Sequence, residues 1–576
     1  MGMRNLSDEP AALGGSHLGS CERASVISQL SVGWNDPRAI WRTPSPDMQG
    51  AVITDQPSTS TITMSGLSGI VSSDQNQQSS QDQKEHGRYF SSSSVYGSKF
   101  ADAAINPFEM AEDELPADSA YRFVHDELAL DGNPFLNLAS FVTTYMEPQA
   151  EKLMLENLNK NFIDFEEYPA TAEIESRCVN MLARLFNAPI KDNNSGEAVG
   201  VSTIGSSEAV MLAVLAAKRR WQHKRRAEGK STEHPNIVMS SAVQVVWEKA
   251  ARYLEVEEKY QNVTETRFVL DPKETVDAVD ENTILICAIL GSTYTGHYED
   301  VAEIDRLLGE KNKKEGLDVG IHVDAASGGF VAPFVNPDLK WDFRLPNVIS
   351  INASGHKYGL AYPGVGWALW RSKEYLPEDI LFTINYLGSP QVSFTLNFSK
   401  SAVQVIAQYY QFLRLGKNGY RAIMQNLTDD ADYFANTLEE TGRFTILSER
   451  SGKGLPLVAF KLKEQTHYDE FDIASHLRSH GGWIVPAYTM APSANNMKLL
   501  RVVFREDFTR HRVDLLFRDL KMVLETLDKT PKEVVQHMTE TQKQGRHARK
   551  GRDGKRVHSH DKHSLQGKTG KTHGIC

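Results

Sequence analysis

Thr283-Ile284-Leu285-Ile286-Cys287-Ala288-Ile289-Leu290 is a run without a charged residue. It reads as a short strand buried among apolar neighbours. Further short apolar runs follow at Val319 to Ala325, Val348 to Ile351 and Val365 to Trp370, and amphipathic helical segments alternate with them. Alternation of this kind predicts an α/β domain built on a mostly parallel sheet. Downstream, Val403, Ile406, Tyr410 and Leu413 fall at helical spacing, and a second helical stretch runs on to about Glu440. This reads as a long connector. Beyond it, Leu455 to Leu462, Phe471 to Arg478, Trp483 to Tyr488, Met497 to Phe504 and Val513 to Leu527 read as strand, helix, strand, strand and helix. These predict a second, smaller α+β domain.

The ends of the chain differ from this pattern. Residues 1–104 are rich in Ser, Gln, Asn and Gly, with Ser91 to Ser94 a homopolymer. They cannot bury enough apolar surface to offset the entropy of ordering, so a disordered leader is expected. The stretch from Thr541 to Cys576 holds ten Lys+Arg, two Asp and five His with few apolar residues, which predicts a basic solvated tail. The expected organisation is a leader (1–104), an N-terminal segment (105–160), a large domain (161–440), a small domain (441–535) and the tail (536–576).

The whole chain has 576 residues, 63 Lys+Arg against 74 Asp+Glu, and 40% hydrophobic residues. That is enough for more than one domain core. No run of about 18 uncharged apolar residues occurs, which excludes a helical membrane span. The N-terminus lacks an apolar signal core, and Leu6 stands where a myristoylation motif needs Ser or Thr, so a cytoplasmic protein is expected. The four cysteines, Cys21, Cys178, Cys287 and Cys576, are not spaced for zinc or a redox pair. No metal site is expected.

Two segments carry chemistry. Ser350 to Ala353 is an apolar strand that ends in Ser354-Gly355-His356-Lys357, so Lys357 would project from a strand end into a crevice. Asp324 closes the run Gly320 to Val323, and a carboxylate at the end of a buried strand is costly unless a cation meets it. Asp324 reads either as a helix N-cap or as the partner of the protonated pyridine nitrogen of pyridoxal phosphate, with Lys357 as the Schiff base lysine. A phosphate would fit Gly205-Ser206-Ser207, a glycine and two hydroxyls ahead of a helix, where free N–H groups and the helix dipole favour an anion. Taken alone, Ser206 and Ser207 read as plain N-caps.

With these residues in view, the chain resembles the pyridoxal phosphate-dependent glutamate decarboxylases, above all their bacterial and plant branch. The likeness runs from about Asn137 to about Leu527 and rests on Glu167-Tyr168-Pro169, Ser206-Ser207, Val243 to Trp247, Thr293 to Gly296, His322 to Phe330 and Ser354 to Lys357. It implies a fold type I enzyme that converts L-glutamate to 4-aminobutanoate and carbon dioxide. It also implies that Ser206, Ser207 and His356 hold the phosphate, with Ser399 reaching it from a neighbouring subunit of a dimer or larger homo-oligomer, and that Ser354 is among the residues that bind the cofactor. Gln244 would lie over the pyridine face, Thr293 beside the cofactor, Asp324 at the ring nitrogen and Ala326 beneath the ring, while Lys357 would carry the cofactor. Arg501 would meet the α-carboxylate of the substrate. Ser140, Phe141, Asn161 and Asp164 would meet its distal carboxylate, and a proton donor is expected near Tyr386 and Leu387.

The sequence departs from the family at Ser140, where relatives carry Thr, and at Glu248, where they carry His. The tail holds no local motif that aligns with the C-terminal His of bacterial relatives. It lacks the Trp and apolar anchors of the plant calmodulin-binding tail, so calmodulin is not an expected partner, nor is nucleic acid or a membrane. Two other readings stay open from the residues alone: a pyridoxal phosphate enzyme acting on another amino acid, either a decarboxylase or an aminotransferase, and a non-catalytic scaffold with a basic tail.

Overall fold

The computed structural model describes residues 105–190, 198–385, 391–535 and 537. The leader, nearly all of the tail, and Tyr386 and Leu387 therefore lie outside the described residues. Those described up to Glu114 hold no helix or strand, and those from Leu115 onward make up a compact unit of their own.

In chain order this unit contains α1 (Ala117–Leu128), α2 (Pro148–Glu156), α3 (Pro169–Leu185), β1 (Val199–Thr203), α4 (Ser206–Ala227), β2 (Asn236–Ser240), α5 (Val245–Tyr253), β3 (Glu257–Gln261), α6 (Pro272–Asp277), β4 (Thr283–Ile289), α7 (Val301–Glu315), β5 (Gly320–Asp324), α8 (Ala332–Val335), β6 (Val348–Ala353) and β7 (Gly366–Trp370). There follow β8 (Phe382–Ile384), β9 (Gln391–Ser393), α9 (Val403–Glu440), β10 (Phe444–Ile446), β11 (Leu457–Leu462), α10 (Glu470–Gly481), β12 (Ala487–Thr489), β13 (Lys498–Val503) and α11 (Arg510–Lys529).

The seven strands β1 to β7 form one sheet in the order β1-β7-β6-β5-β4-β2-β3. Pairing is parallel from β3 through β6 and antiparallel on both sides of β7. Two reversals cancel, so β1 runs in the same direction as β5 and β6. The carboxyl ends of all three strands therefore share one edge of the sheet, where ligand crevices form in open α/β sheets. Central strands β4, β5 and β6 are buried along their whole length, which is why they read as continuous apolar runs. Edge strand β3 carries Glu257, Glu258 and Lys259, as an edge open to water permits.

The connector is a 38-residue helix, α9, interrupted at Gly416, whose φ of 55° and ψ of −174° let the chain bend there without a Cβ clash. Its first part packs against α2 and α3. The four-stranded antiparallel sheet β10-β11-β13-β12 follows, with α10 and α11 packed against each other. Asp469 closes a capping box with Asp472 at the start of α10, and Gly482 ends that helix at a φ of 72°. Where the sequence predicts a strand from Trp483, strand β12 begins only at Ala487; before it, Ile484 makes an isolated parallel bridge with Asn137, and Trp483 packs on Phe508 and donates to Asp519. No described helix is long and apolar enough to cross a membrane.

Candidate active site

Asp324 ends β5 and is only 8% exposed. Its Oδ2 accepts from the Trp247 indole Nε1 at 2.7 Å, and its Oδ1 from Asn352 Nδ2 at 3.0 Å and Ala326 N at 3.2 Å. One of these bonds is local to the turn after β5. The other two come from α5 and β6 and hold the carboxylate at the sheet edge. Charge-assisted bonds of this kind offset the cost of burying it.

A second layer lies behind it. His322, two residues earlier on the same face of β5, is fully buried, with Nδ1 at 2.8 Å from Ser350 Oγ and Nε2 at 2.7 Å from Asn352 Oδ1. Burial lowers its pKa, which favours neutral imidazole. Asn352 Oδ1 only accepts, so Nε2 carries the proton and Nδ1 accepts from Ser350. The Ser350, His322 and Asn352 chain thereby fixes which end of the Asn352 amide faces Asp324. Trp247 packs edge-on to His322, with ring centroids 5.3 Å apart.

Lys357 follows β6. Its Nζ donates to Ser327 Oγ at 3.1 Å and stands 5.5 Å from the centre of the Phe141 ring. Segment 139–145 covers this lysine: Thr143 N donates to His356 O at 2.9 Å, and Thr143 Oγ1 to Lys357 O at 2.7 Å. That segment is tied down by the region after β13, for Glu506 Oε1 accepts from Thr144 N and Tyr145 N at 3.0 and 3.2 Å. Arg501, 0% exposed on β13, donates through Nη1 to Thr293 O and through Nη2 to Ala139 O at 2.6 Å. Its guanidinium carbon lies 4.8 Å from the centre of the Phe141 ring and 5.5 Å from that of Tyr488. Phe141 thus stands close to both cations.

At the start of α4 the N-cap is Gly205, and no side chain caps the helix. Ser206 and Ser207 are its first two residues, and Ser206 Oγ lies 2.6 Å from Ser354 Oγ. The plain N-cap reading of the two serines does not apply. A Cβ on Gly205 would stand 3.1 Å from His356 Cε1, so glycine keeps the turn close to the imidazole. His356 Nδ1 is buried and has no hydrogen-bond partner among the described residues. Burial first, and the Lys357 charge second, lower the His356 pKa to about 4, which leaves the ring neutral near pH 7.

A buried nitrogen without a partner, two hydroxyls and a helix N-terminus converge here beside an amine, with a buried carboxylate on the neighbouring strand. The donor set fits pyridoxal phosphate: Ser206, Ser354 and His356 would hold its phosphate, Lys357 would meet its carbonyl and Asp324 its ring nitrogen.

Other expected residues stand as follows. Gln244 caps α5, its Oε1 accepting from Val246 N at 2.7 Å. Ser140 is buried and accepts from Val142 N at 3.1 Å. Asn161 Nδ2 donates to Asp164 Oδ1 at 3.3 Å, and Asn161 pairs with Ser401 across an isolated bridge. Ser399 is exposed in this single chain. Glu248 is buried and lies 3.1 Å from Arg252 on its own helix. Sequence reading missed Trp247, Thr143, Ser327 and the Ser350, His322 and Asn352 chain as parts of the site. The i, i+2 spacing of His322 with Asp324 and of Ser350 with Asn352 places each pair on one face of adjacent strands, and that signal was available.

Comparison with known proteins agrees with this geometry. Residues 112–463 match the family model described as the pyridoxal-dependent decarboxylase conserved domain. The chain is 55% identical over 441 residues to a glutamate decarboxylase of Petunia hybrida, covering 77% of this chain and 87% of that one. It is 44% identical over 439 residues to a glutamate decarboxylase of Aliivibrio fischeri, covering 76% and 93%. A solved Lactobacillus brevis glutamate decarboxylase superposes with a TM-score of 0.72 at 42% identity, over 76% of this chain and 99% of that one. A buried carboxylate and a lysine at neighbouring strand ends, an open anion cradle and relatives of this identity lead to one assignment: the chain belongs to the pyridoxal-dependent decarboxylases, and among them to the glutamate decarboxylases.

Proposed function

We propose that the chain replaces the α-carboxyl group of L-glutamate with a proton, releasing carbon dioxide and 4-aminobutanoate. The observation that carries this reading is the convergence of Lys357, the triply bonded Asp324 and the unpartnered His356 Nδ1 at one edge of the sheet. Bound pyridoxal phosphate supplies an electrophilic carbonyl and a protonated ring that takes up the electron pair left at Cα when carbon dioxide departs.

The chain's own residues do the rest. Lys357 would hold the cofactor through its amine, which donates to Ser327 Oγ. Asp324 would keep the ring nitrogen protonated, and its three donors hold the carboxylate in place. Ser206, Ser207, Ser354 and His356 hold the phosphate, Gln244 and Ala326 flank the ring, and Thr293 lies beside it. Arg501 would hold and orient the α-carboxylate, a task that a planar guanidinium suits. Ser140, Phe141, Asn161 and Asp164 receive the distal carboxylate.

Ser399 completes the phosphate site of a second copy in a dimer or larger homo-oligomer, and its exposure in the single chain supports that reading. The large domain comprises 161–440 and the small domain 441–535. A cytoplasmic location suits the free buried thiols of Cys178 and Cys287. The test is an absorbance titration of the chain with pyridoxal phosphate, followed by amino acid trials that record both carbon dioxide and amine. Release from glutamate well above that from other amino acids is expected. Turnover of another amino acid in preference to glutamate would overturn the substrate assignment, and amino-group transfer without carbon dioxide would overturn the reaction.

A further inference from the structure

Glu208 is the third residue of α4 and only 4% exposed. An acidic residue in a first turn ordinarily complements the helix dipole. The bonds of Glu208 point elsewhere. Its Oε2 accepts from Ile204 N at 2.9 Å, ahead of the helix, and its Oε1 from Leu396 N at 2.8 Å and Asn397 N at 3.2 Å. These donors belong to two segments far apart in sequence: the β1–α4 turn and the stretch that leads through Ser399 to α9. The two are joined again where Lys400 Nζ donates to Ser202 O at 3.0 Å, while Glu175 Oε1 takes Ser202 N at 2.8 Å. The first N–H groups of a helix have no partner within it, and an anion there needs them. Because Glu208 uses both oxygens on donors outside α4, it leaves those groups to a ligand.

We infer that Glu208 is a positioning residue for the phosphate end of the cofactor, holding the Ser206–Ser207 turn and the Leu396–Ser399 stretch in one geometry by bonding the backbone of both. This rests on the reading above that Ser206, Ser207 and Ser399 serve the phosphate. A role at that end predicts a selective effect. Glu208→Gln keeps the shape but turns an N–H donor toward a backbone N–H, so one of the two segments is released.

The experiment titrates the full-length apo chain with pyridoxal 5′-phosphate and, separately, with pyridoxal, which lacks the phosphate, following absorbance. For Glu208→Gln we expect the dissociation constant for the phosphorylated compound to rise about 10-fold, a change of about 1.4 kcal/mol. That for pyridoxal should move less than about twofold. Leu396→Pro deletes a single donor in an exposed stretch, leaves the helix intact and should shift the same constant in the same direction. A folded variant that binds both compounds as the wild type does, or that weakens both equally, overturns the inference. If the wild-type chain shows no preference for the phosphorylated compound, the cofactor reading itself fails and this inference falls with it.

Discussion

Replacing Asp324 with Asn tests the bonding around the buried carboxylate, because the amide is nearly isosteric yet cannot accept on both sides. Oδ2 faces the Trp247 indole N–H at 2.7 Å, while Oδ1 faces Asn352 Nδ2 and Ala326 N. Whichever way the new amide turns, its NH2 meets a donor. The orientation that keeps the two bonds on Oδ1 gives up the Trp247 bond, worth about 1.5–3 kcal/mol as a bond to a charged group, and leaves buried donors facing each other at about 1–3 kcal/mol. The apo variant should therefore be less stable by about 2.5–6 kcal/mol in chemical denaturation. Trp247→Phe removes the indole donor and should cost about 1.5–3 kcal/mol by the same reckoning, apart from any repacking. In the double variant the clash has gone, so the two losses should fall short of their sum by about 1 kcal/mol or more. The Asn variant should still bind pyridoxal phosphate while losing most of the turnover. Additivity within about 0.5 kcal/mol would refute the bonding argument, and near-wild-type turnover would refute the role at the ring nitrogen.

Lys357→Ala should abolish both the visible absorbance of the bound cofactor and carbon dioxide release, and a variant keeping both would exclude Lys357 as the carrier. Burial holds His356 near 4 against an ordinary 6.5, so its contribution to apo stability is complete above about pH 6.5 and is lost as pH falls through about 4. That loss amounts to about 3 kcal/mol; His356→Gln should flatten this limb of the pH–stability curve, and an unchanged limb would count against burial as its cause. Glu299 behaves in the opposite sense: burial, only partly offset by bonds from Ile289 N and Leu270 N, raises it to about 8, so its contribution is complete below about pH 4.5 and is lost as pH rises through about 8. Glu299→Gln should remove that alkaline decline. Inactive Ser399→Ala and Lys357→Ala chains, when mixed, should regain part of the activity through hybrid sites, whereas no recovery would argue against a shared site.

What the sequence made legible was the part in which burial is continuous. β4, β5, β6 and β7 lie where apolar runs predict them because strands covered on both faces are built mainly from apolar residues. β1 and β3 gave no such signal: β1 is partly exposed over Val199 to Val201, and β3 is a charged edge. Within the site, Asp324 and Lys357 were readable because a charge at the end of an apolar strand is unusual. Trp247 was not, since its bond to Asp324 spans 77 residues and an indole in an apolar helix segment reads as core. Ser327 was passed over for a similar reason, being a small residue in a run of Ala, Ser and Gly that reads only as a turn.

The directions of the strands explain why residues so far apart in sequence can act together. Ser206 and Ser354 are separated by 148 positions, yet their hydroxyls lie 2.6 Å apart. The chain could not achieve this if β1 simply ran antiparallel to β6, for α4 would then begin at the opposite edge of the sheet. With β7 inserted between them, antiparallel to both, β1 regains the direction of β6, and the helix N-terminus arrives at the edge that carries Asp324 and Lys357. Gly366 opens β7 at this crossing. A Cβ there would stand 2.6 Å from the Gly205 carbonyl carbon and 2.8 Å from Thr203 Oγ1, so even alanine would push the Ser206 turn away from His356. The anion cradle therefore depends on a residue that touches no ligand, and the close approach of β7 to the turn is as much a part of the site as the hydroxyls it brings together.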